Sequence, residues 1–569
     1  MSIDPNWPNL AVMMFALGRS RPDKPFLRWW RDGAWHRIAW AEFARMTASC
    51  ARRIRAAGVS AGDRVLVCME NRPEFPIAET ALMAIRAIPV PAYTTNTIDD
   101  HAHLLRDSGA RAAIVSSVAL ADRLVKAAKR ANGLDLLVVV DGEPAGDTGT
   151  ARVMPWADLV GDRQSPDDIA REAADIPATA LACLIYTSGT GGSPRGVMLP
   201  HRSILSNCAG AAELMRPMRL KDDIYLSYLP LAHAFEHTVG QFFLAAHGTE
   251  IVYARGVEHL ASDLLTVRPT LLTTVPRVLE VIRTRVLNQV AREKPWRQRL
   301  FEAALAIGLK RVDGVPLTLS ERLVDPLLER LVRAKVRGRF GGRLVIALSG
   351  GARLDPEVGR FFLALGLPIM QGYGQTEAGP VISVNPPGAI RIDTVGAVLP
   401  GVELRIAEDR EILVRGGLVM DGYWNRPDDT AATIRDGWLH TGDIGELDQG
   451  YLRITDRKKD LIVLSGGENV SPAKIEGLLM AETEIGQAVI SGDGRSGLSA
   501  LVVPAEGYDE AAVALAVDRA NKRLSVTERI RKHAVVAPFT VENGLLTPSQ
   551  KIRRVLVIRA NAHILARLH

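Results

Sequence analysis

Leu184–His201 reads LIYTSGTGGSPRGVMLPH, an apolar run followed by a loop of hydroxyls, glycines and one arginine. The run LACLIY reads as the end of a buried strand. Beyond it come Thr187, Ser188 and Thr190, the glycines Gly189, Gly191, Gly192 and Gly196, and Arg195. Glycines let backbone N–H groups close on a ligand, hydroxyls donate to it, and a guanidinium binds phosphate through two parallel hydrogen bonds. That composition suits a polyphosphate, and it also suits a flexible connector, so the loop alone leaves both readings open. Two familiar phosphate patterns fail. Walker A requires G-x-x-x-x-G-K-S/T, and the dinucleotide fingerprint requires a glycine where Pro194 stands.

Outward from the loop, between Arg64 and Gly372, short β-rich runs such as RVLVCM, AAIVSS, LLVVV, TLLTTV and RLVIALS alternate with amphipathic helical stretches. This alternation predicts βαβ units and largely parallel sheets, whose ligands bind at the carboxyl ends of strands. After Gly401 closely spaced strands with turn signals predict a small β-rich region. The last hundred or so residues mix short strands with helices, which predicts a separate small α+β domain.

At 569 residues the chain is long enough for at least two cores, and 47% hydrophobic against 24% charged residues is a globular balance. Cys50, Cys68, Cys183 and Cys208 are far apart with no CxxC spacing, which predicts neither a zinc site nor a disulfide framework and points to a reducing compartment. The N-terminus lacks the basic region of a secretory signal, and no apolar run approaches the roughly 18 residues of a membrane span. A cytoplasmic protein is expected. The net charge is +6, but between Arg277 and Arg343 sixteen Lys and Arg face seven Asp and Glu. Solvated helix faces explain such a surplus, and so does peripheral contact with an anionic membrane. No nucleic-acid motif accompanies it, so nucleic acid is not expected as a partner. Oligomeric state is not legible.

Four further stretches extend the reading of the loop: YLPLAHAFEH (Tyr228–His237), ALSGGARLDPE, QGYGQTEAGP and TGDIGELDQGYLRITDRKKDLIVLSGGENVSP. With the loop they resemble the motifs of acyl-adenylate-forming (AMP-binding) enzymes, and within these the long-chain fatty acyl-CoA synthetases. The family's loop is usually Y-T-S-G-T-T-G-x-P-K-G. Here Gly191 replaces a threonine and Arg195 the lysine, which keeps the charge but not its geometry. The resemblance implies an α/β fold with a large N-terminal adenylation domain, 1–458, of parallel and mixed sheets flanked by helices plus a small β-rich subdomain. It also implies a small mobile α+β C-terminal domain, 459–569, with Lys459 at the hinge.

What the resemblance implies for the site is specific. Thr187, Ser188, Gly189, Thr190, Gly191 and Arg195 would hold the β,γ-phosphates of ATP. His233 and Phe235 would line the route to the carboxylate. Gly350, Gly351 and Ala352, after Ser349, would lie beside adenine; Tyr373, between Gly372 and Gly374, would stack on it. Thr376 would contact the α-phosphate, Glu377 would ligate Mg²⁺, and Asp443 and Arg457 would hold the ribose. Lys551, in NGLLTPSQKIRR, would bridge carboxylate and phosphate during adenylation. Gly466 and Gly467 would fall on a strand lining the tunnel for the CoA thiol, and Ser471 and Pro472 would begin the helix after it.

Such chemistry needs these residue types. A carboxylate is a poor electrophile because its leaving group would be oxide; joined to AMP it acquires a good one and becomes open to a thiolate. The approach of two anions demands cations and donors in place beforehand. The segment between TTVPRVLEVIRTRV and GGRLVIALSGGARL reads as two or three helices with apolar spacing near three to four, and resembles the segment that flanks the acyl tunnel in the long-chain enzymes. Three functions follow: an ATP-, Mg²⁺- and CoA-dependent fatty acyl-CoA synthetase, a fatty acyl-AMP ligase loading a carrier protein, or a lipid-binding relative without turnover. The run through the hinge shows no insertion that would block CoA, which counts against the second, and intact Glu377, Asp443, Arg457 and Lys551 count against the third.

Overall fold

The computed structural model describes residues 7–144, 146–161, 164–187, 193–218, 223–466, 468–547 and 551–568. Two compact units result. One holds the described residues up to Thr187 together with Arg195–Leu404 and Val414–Leu439; the other holds Arg405–Leu413 and the described residues from His440 onward.

Within the first unit, a five-stranded parallel sheet runs in the order Ile88–Ala92, Arg64–Cys68, Ala112–Ser117, Leu136–Asp141, Arg152–Pro155. Its central strands are near-continuous aliphatic runs because both faces are buried. Leu66, Val115 and Leu137 pack with Leu105 and Leu124 of the helices Ile98–Ser108 and Val118–Lys129, while Val65, Val67 and Ile114, pointing the other way, are buried too. Local signals set the helix ends. Thr97 and Asp100 form a reciprocal capping box, and Gly109 closes the helix with a φ of 68°.

A second sheet has a parallel centre, in the order Glu250–Tyr253, Ile224–Ser227, Leu271–Thr274, Ile346–Ser349, Ile369–Gly374. Val381–Val384 then pairs antiparallel with Ile369–Gly374. The expectation of largely parallel sheets holds for the first sheet and for the centre of the second, but not for the run that opened the reading. Leu181–Thr187 forms an antiparallel hairpin with Arg195–Pro200, to which Gly422–Tyr423 adds a third strand. The loop therefore joins two paired strands, and the helix His201–Met215 starts only after the second of them. The stretch between Val275 and Gly341 is helical, as expected: Pro276–Ala291, Pro295–Val312 and Leu319–Leu328, the last followed by a π-turn at Glu329–Arg333. Pro326 inside that helix removes an N–H donor just before the π-turn.

The second unit takes up, from His440 on, the hairpin of Trp438–Asp448 and Tyr451–Arg457. Its two-residue turn needs two positive φ values, supplied by Gln449 at 51° and Gly450 at 83°. A three-stranded sheet of Ile485–Ser491, Leu498–Pro504 and Ile530–Val535 follows. The helices Pro472–Met480 and Glu510–Asn521 cover one face through Ile475, Leu479, Val513 and Val517; Phe539, Val557 and Leu565 pack against the other. Ser471 Oγ accepts from the Lys474 N–H and Pro472 is the first helical residue, as read from the sequence. All four cysteines are buried and free, and burial raises their thiol pKa values, that of Cys68 to about 12.

Candidate active site

In the first unit the candidate residues gather at the carboxyl ends of the parallel strands and at the loop end of the hairpin. Thr187 and Arg195 face each other in the last register pair of that hairpin, so the loop between them is anchored at both ends. Ser188, Gly189, Thr190 and Gly191 lie outside the described residues. One step back, Tyr186 is paired with Gly196, and a Cβ at Gly196 would meet the Tyr186 ring at 3.0 Å, so this glycine makes room for the phenol. Tyr186 Oη donates to Asp107 at 2.7 Å; burial, then the carboxylate, push its pKa up, so it remains a neutral donor.

Arg195 does not simply project into solvent. Its guanidinium lies 4.0 Å from the centroid of the Tyr423 ring, a stacked cation–π arrangement that suits a planar group. Asp429 stands 3.9 Å from the same guanidinium. The Tyr423 hydroxyl in turn donates to Glu377 Oε1 at 2.8 Å. Burial, followed by the Glu377 charge, pushes the phenol pKa up and keeps it a donor. One side chain thus links the arginine of the loop to the carboxylate expected to hold Mg²⁺. Nothing local in the sequence marked Tyr423; it reaches the site because Gly422–Tyr423 pairs with Arg195–Pro200.

Thr376 and Glu377 occupy a 3-10 turn, Thr376–Ala378, immediately after Ile369–Gly374. The turn is fixed by close backbone approach: a Cβ at Gly374 would stand 1.8 Å from the Pro380 carbonyl oxygen. Tyr373, half-buried between Gly372 and Gly374, sits at a bulge in the pairing with Val381–Val384, a feature that re-aims a side chain. Gly350 continues the neighbouring strand by donating to the Thr274 carbonyl at 3.1 Å; Gly351, at φ 78°, and exposed Ala352 turn away from it. A Cβ at Gly350 would meet Phe235 at 3.0 Å, so the Phe235 ring lies directly on this glycine. His233 Nδ1 accepts from the Phe235 N–H at 3.2 Å, which assigns the proton of the neutral ring to Nε2.

Glu236, next in sequence, was not singled out from the sequence. It is fully buried, and its carboxylate accepts from Tyr225 at 2.6 Å, Ser227 at 2.6 Å and Thr273 at 2.8 Å, fastening the end of the His233–Phe235 segment to two strands. Burial raises its pKa to about 7.

The second unit holds the remaining candidates. Asp443, buried, and Arg457 are register partners of one hairpin, with Arg457 Nε 3.2 Å from Asp443 Oδ1. Lys459 lies exposed in the turn after that strand. Gly466 lies in the turn between the short strands Ile462–Val463 and Asn469–Val470, not on a strand as the sequence led us to expect. Gly467 is outside the described residues. At Lys551 the backbone is held on both sides: its carbonyl accepts from Thr547 N at 2.8 Å and its N–H donates to Thr547 Oγ1 at 3.0 Å.

A magnesium ion fits Glu377 in one specific sense. Among the described residues no group of three His, Cys, Asp or Glu forms a metal cage, and a single side-chain hydrogen bond, from Tyr423, is made to the Glu377 carboxylate. Mg²⁺ is commonly held by one or two carboxylates completed by phosphate oxygens and water.

Comparison with known proteins agrees with this geometry. Residues 15–424 match the AMP-binding enzyme family, and residues 459–567 match the AMP-binding enzyme C-terminal domain. The chain is 32% identical to the long-chain-fatty-acid–CoA ligase FadD15 of Mycobacterium bovis, with 96% of this chain and 95% of that protein covered. Human long-chain-fatty-acid–CoA ligase 1 is 28% identical, with 95% and 82% covered. Among solved structures, the anthranilate CoA ligase AuaEII in complex with anthranoyl-AMP superposes with a TM-score of 0.74 at 20% identity, covering 97% of each chain. O-succinylbenzoate CoA synthetase of Bacillus subtilis, in complex with ATP and magnesium, gives 0.68 at 20% identity, covering 95% of this chain and 98% of that one. A hairpin-borne loop, a glycine-lined strand end and matches that span both ends of the chain have one common explanation: this chain belongs to the AMP-binding enzyme family.

Proposed function

We propose that the protein joins a long-chain fatty acid to AMP at the expense of ATP, releasing pyrophosphate, and then transfers the acyl group to the thiol of CoA, releasing AMP. The observation that carries this reading is the Arg195–Tyr423–Glu377 linkage at the loop end of the hairpin, which sets a cation and a carboxylate in fixed relation at the strand ends. Relatives over nearly the whole chain are named long-chain-fatty-acid–CoA ligases, and this supports the choice of acid and of acceptor.

In the first half-reaction a carboxylate oxygen attacks the α-phosphorus and the bond to the pyrophosphate oxygen breaks. Negative charge accumulates on the phosphate oxygens, so pre-placed donors and cations lower the barrier. Arg195, with Thr187 and the hydroxyls of the loop, would hold the β,γ-phosphates. Thr376 would donate to the α-phosphate, and Lys551 would neutralise the approaching carboxylate. Glu377 would hold Mg²⁺, which when bound offsets phosphate charge. Tyr373 and the Gly350–Ala352 backbone would receive adenine, and Asp443 with Arg457 the ribose. His233, its Nδ1 taken by the Phe235 N–H, and the Phe235 ring would border the carboxylate. For the second half-reaction the division at 458/459, with Lys459 as hinge, would let the C-terminal domain withdraw Lys551 and bring the Gly466 turn to the thiol.

Incubation with ATP, Mg²⁺, CoA and acids from acetate to long-chain fatty acids, followed by mass spectrometry, tests the proposal. Acyl-CoA and AMP in equal amounts from the long acids are expected. Acyl-AMP without thioester would replace CoA with a carrier protein as acceptor, and neither product would overturn the enzymatic reading.

A further inference from the structure

The helix Leu319–Leu328 is amphipathic the wrong way round for a surface helix. Its inner side carries a buried charge: Asp325 pairs with Arg311 and, at 2.7 Å, with Arg333, which is itself buried and donates to the Ala304 carbonyl at 2.9 Å. Leu328 alone of its leucines packs inward, on Ala304 and Ile307. The outer side carries Leu319, Leu323 and Leu327, four residues apart and therefore on one stripe, and they are 80%, 82% and 54% exposed. Val324 and Leu331 extend the exposed apolar surface. Single exposed leucines are ordinary, but a contiguous stripe is a mark of an interaction surface.

The charges around the stripe identify the occupant. The acidic residues of this helix and its π-turn are already neutralised: Glu321 by Lys310, Glu329 by Arg337, and Asp325 as above. Arg322, Arg330 and Lys335 are exposed and make no ion pair among the described residues. The surface left over is leucine edged with cations, within a segment where basic residues outnumber acidic ones sixteen to seven. A second copy of this chain is a poor occupant, because a two-fold pairing of the face would set like charges against one another.

We propose that this face docks on an anionic lipid bilayer, the three leucines entering the boundary of the acyl chains and Arg322, Arg330 and Lys335 meeting the headgroups. The contact is interfacial, since no helix among the described residues is long and apolar enough to cross a membrane. Lipid would bind here whether or not the chain adenylates an acid.

Cosedimentation of the full chain with vesicles decides the matter. Binding is expected to vesicles of equal parts phosphatidylcholine and phosphatidylglycerol but not to phosphatidylcholine alone, and to weaken as salt is raised. The triple change Arg322→Gln, Arg330→Gln and Lys335→Gln should weaken it on the order of a hundredfold, at about fivefold per cation. Leu319→Gln, Leu323→Gln and Leu327→Gln together should abolish it while leaving the circular dichroism spectrum unchanged. A Leu323→Trp variant reads the contact independently, through a blue shift of tryptophan emission on the anionic vesicles only. Unaltered binding by the glutamine variants, or no emission shift at Trp in place of Leu323, would overturn the proposal. So would a wild-type dimer that ignores vesicles and that the leucine substitutions convert to a single chain.

Discussion

The guanidinium of Arg195 rests on the ring of Tyr423, 4.0 Å from its centroid, and the hydroxyl of that ring donates to Glu377 at 2.8 Å. Arginine in place of the lysine usual in related loops is thus matched by an aromatic face that a planar cation can use and a point charge uses less well. Tyr423→Phe keeps the stack and removes the hydrogen bond. Loss of a hydrogen bond to a charged group costs about 1.5–3 kcal/mol, so the Mg²⁺ requirement of ATP–pyrophosphate exchange should rise roughly 10- to 100-fold with little change in the ATP requirement. Tyr423→Ala should raise both. Identical behaviour of the two variants would show that the hydroxyl has no part in holding the metal ion.

Lys551 is expected to serve only the first half-reaction. Lys551→Ala should abolish acyl-AMP formation from free acid while sparing thioester formation from supplied acyl-AMP. Parallel loss of both activities would remove the lysine from this role.

Asp443 and Arg457 form an ion pair at 3.2 Å in which the arginine side chain is 53% exposed. Exposure limits what the pair adds to stability to about 0–1 kcal/mol. Arg457→Ala should therefore shift the melting temperature little, yet raise the KM for ATP at least about tenfold, the loss of one charge-assisted hydrogen bond. A large fall in melting temperature with unchanged KM would make the pair structural.

Glu236 gives a pH signature. Burial raises its pKa to about 7, from an ordinary carboxyl value of 4.5. Between these values the folded chain retains a proton that the unfolded chain has released, so this group's contribution to stability falls as pH rises from about 4.5 to 7 and is flat outside that window. The whole effect is at most about 3 kcal/mol. Glu236→Gln should flatten the dependence of denaturation midpoint on pH across that window. Because Glu236 fastens the segment of His233 and Phe235, the variant should also raise the KM for the acid more than that for ATP. Parallel pH profiles of the two proteins would refute the buried titration.

How much of this was legible beforehand differs from residue to residue. The parallel sheets were, because strands buried on both faces must be aliphatic throughout, as RVLVC and LLVVV are. Helix entry at Ser471 and Pro472 was, because capping is a contract between neighbours in sequence. The strand Leu181–Thr187 was recognised as a strand, but its antiparallel partner was not, since an apolar run carries no record of the direction of its neighbour.

The chain by itself determined the chemistry carried by contiguous motifs: hydroxyls and Arg195 in one loop, Thr376 beside Glu377, glycines where backbone must approach backbone, as at Gly374. These are local properties, written in adjacent residues. Tertiary structure alone decided that Tyr423 would stand between Arg195 and Glu377, that Glu236 would be bound by hydroxyls from two different strands, and that the leucines of Leu319–Leu328 would face outward while Asp325 went in. Spacing of three to four announces an apolar helix face, but which way that face turns depends on what packs against the other side. Here a buried Asp325–Arg333 pair holds the inward position, and the sequence pattern, blind to partners distant along the chain, could not show it.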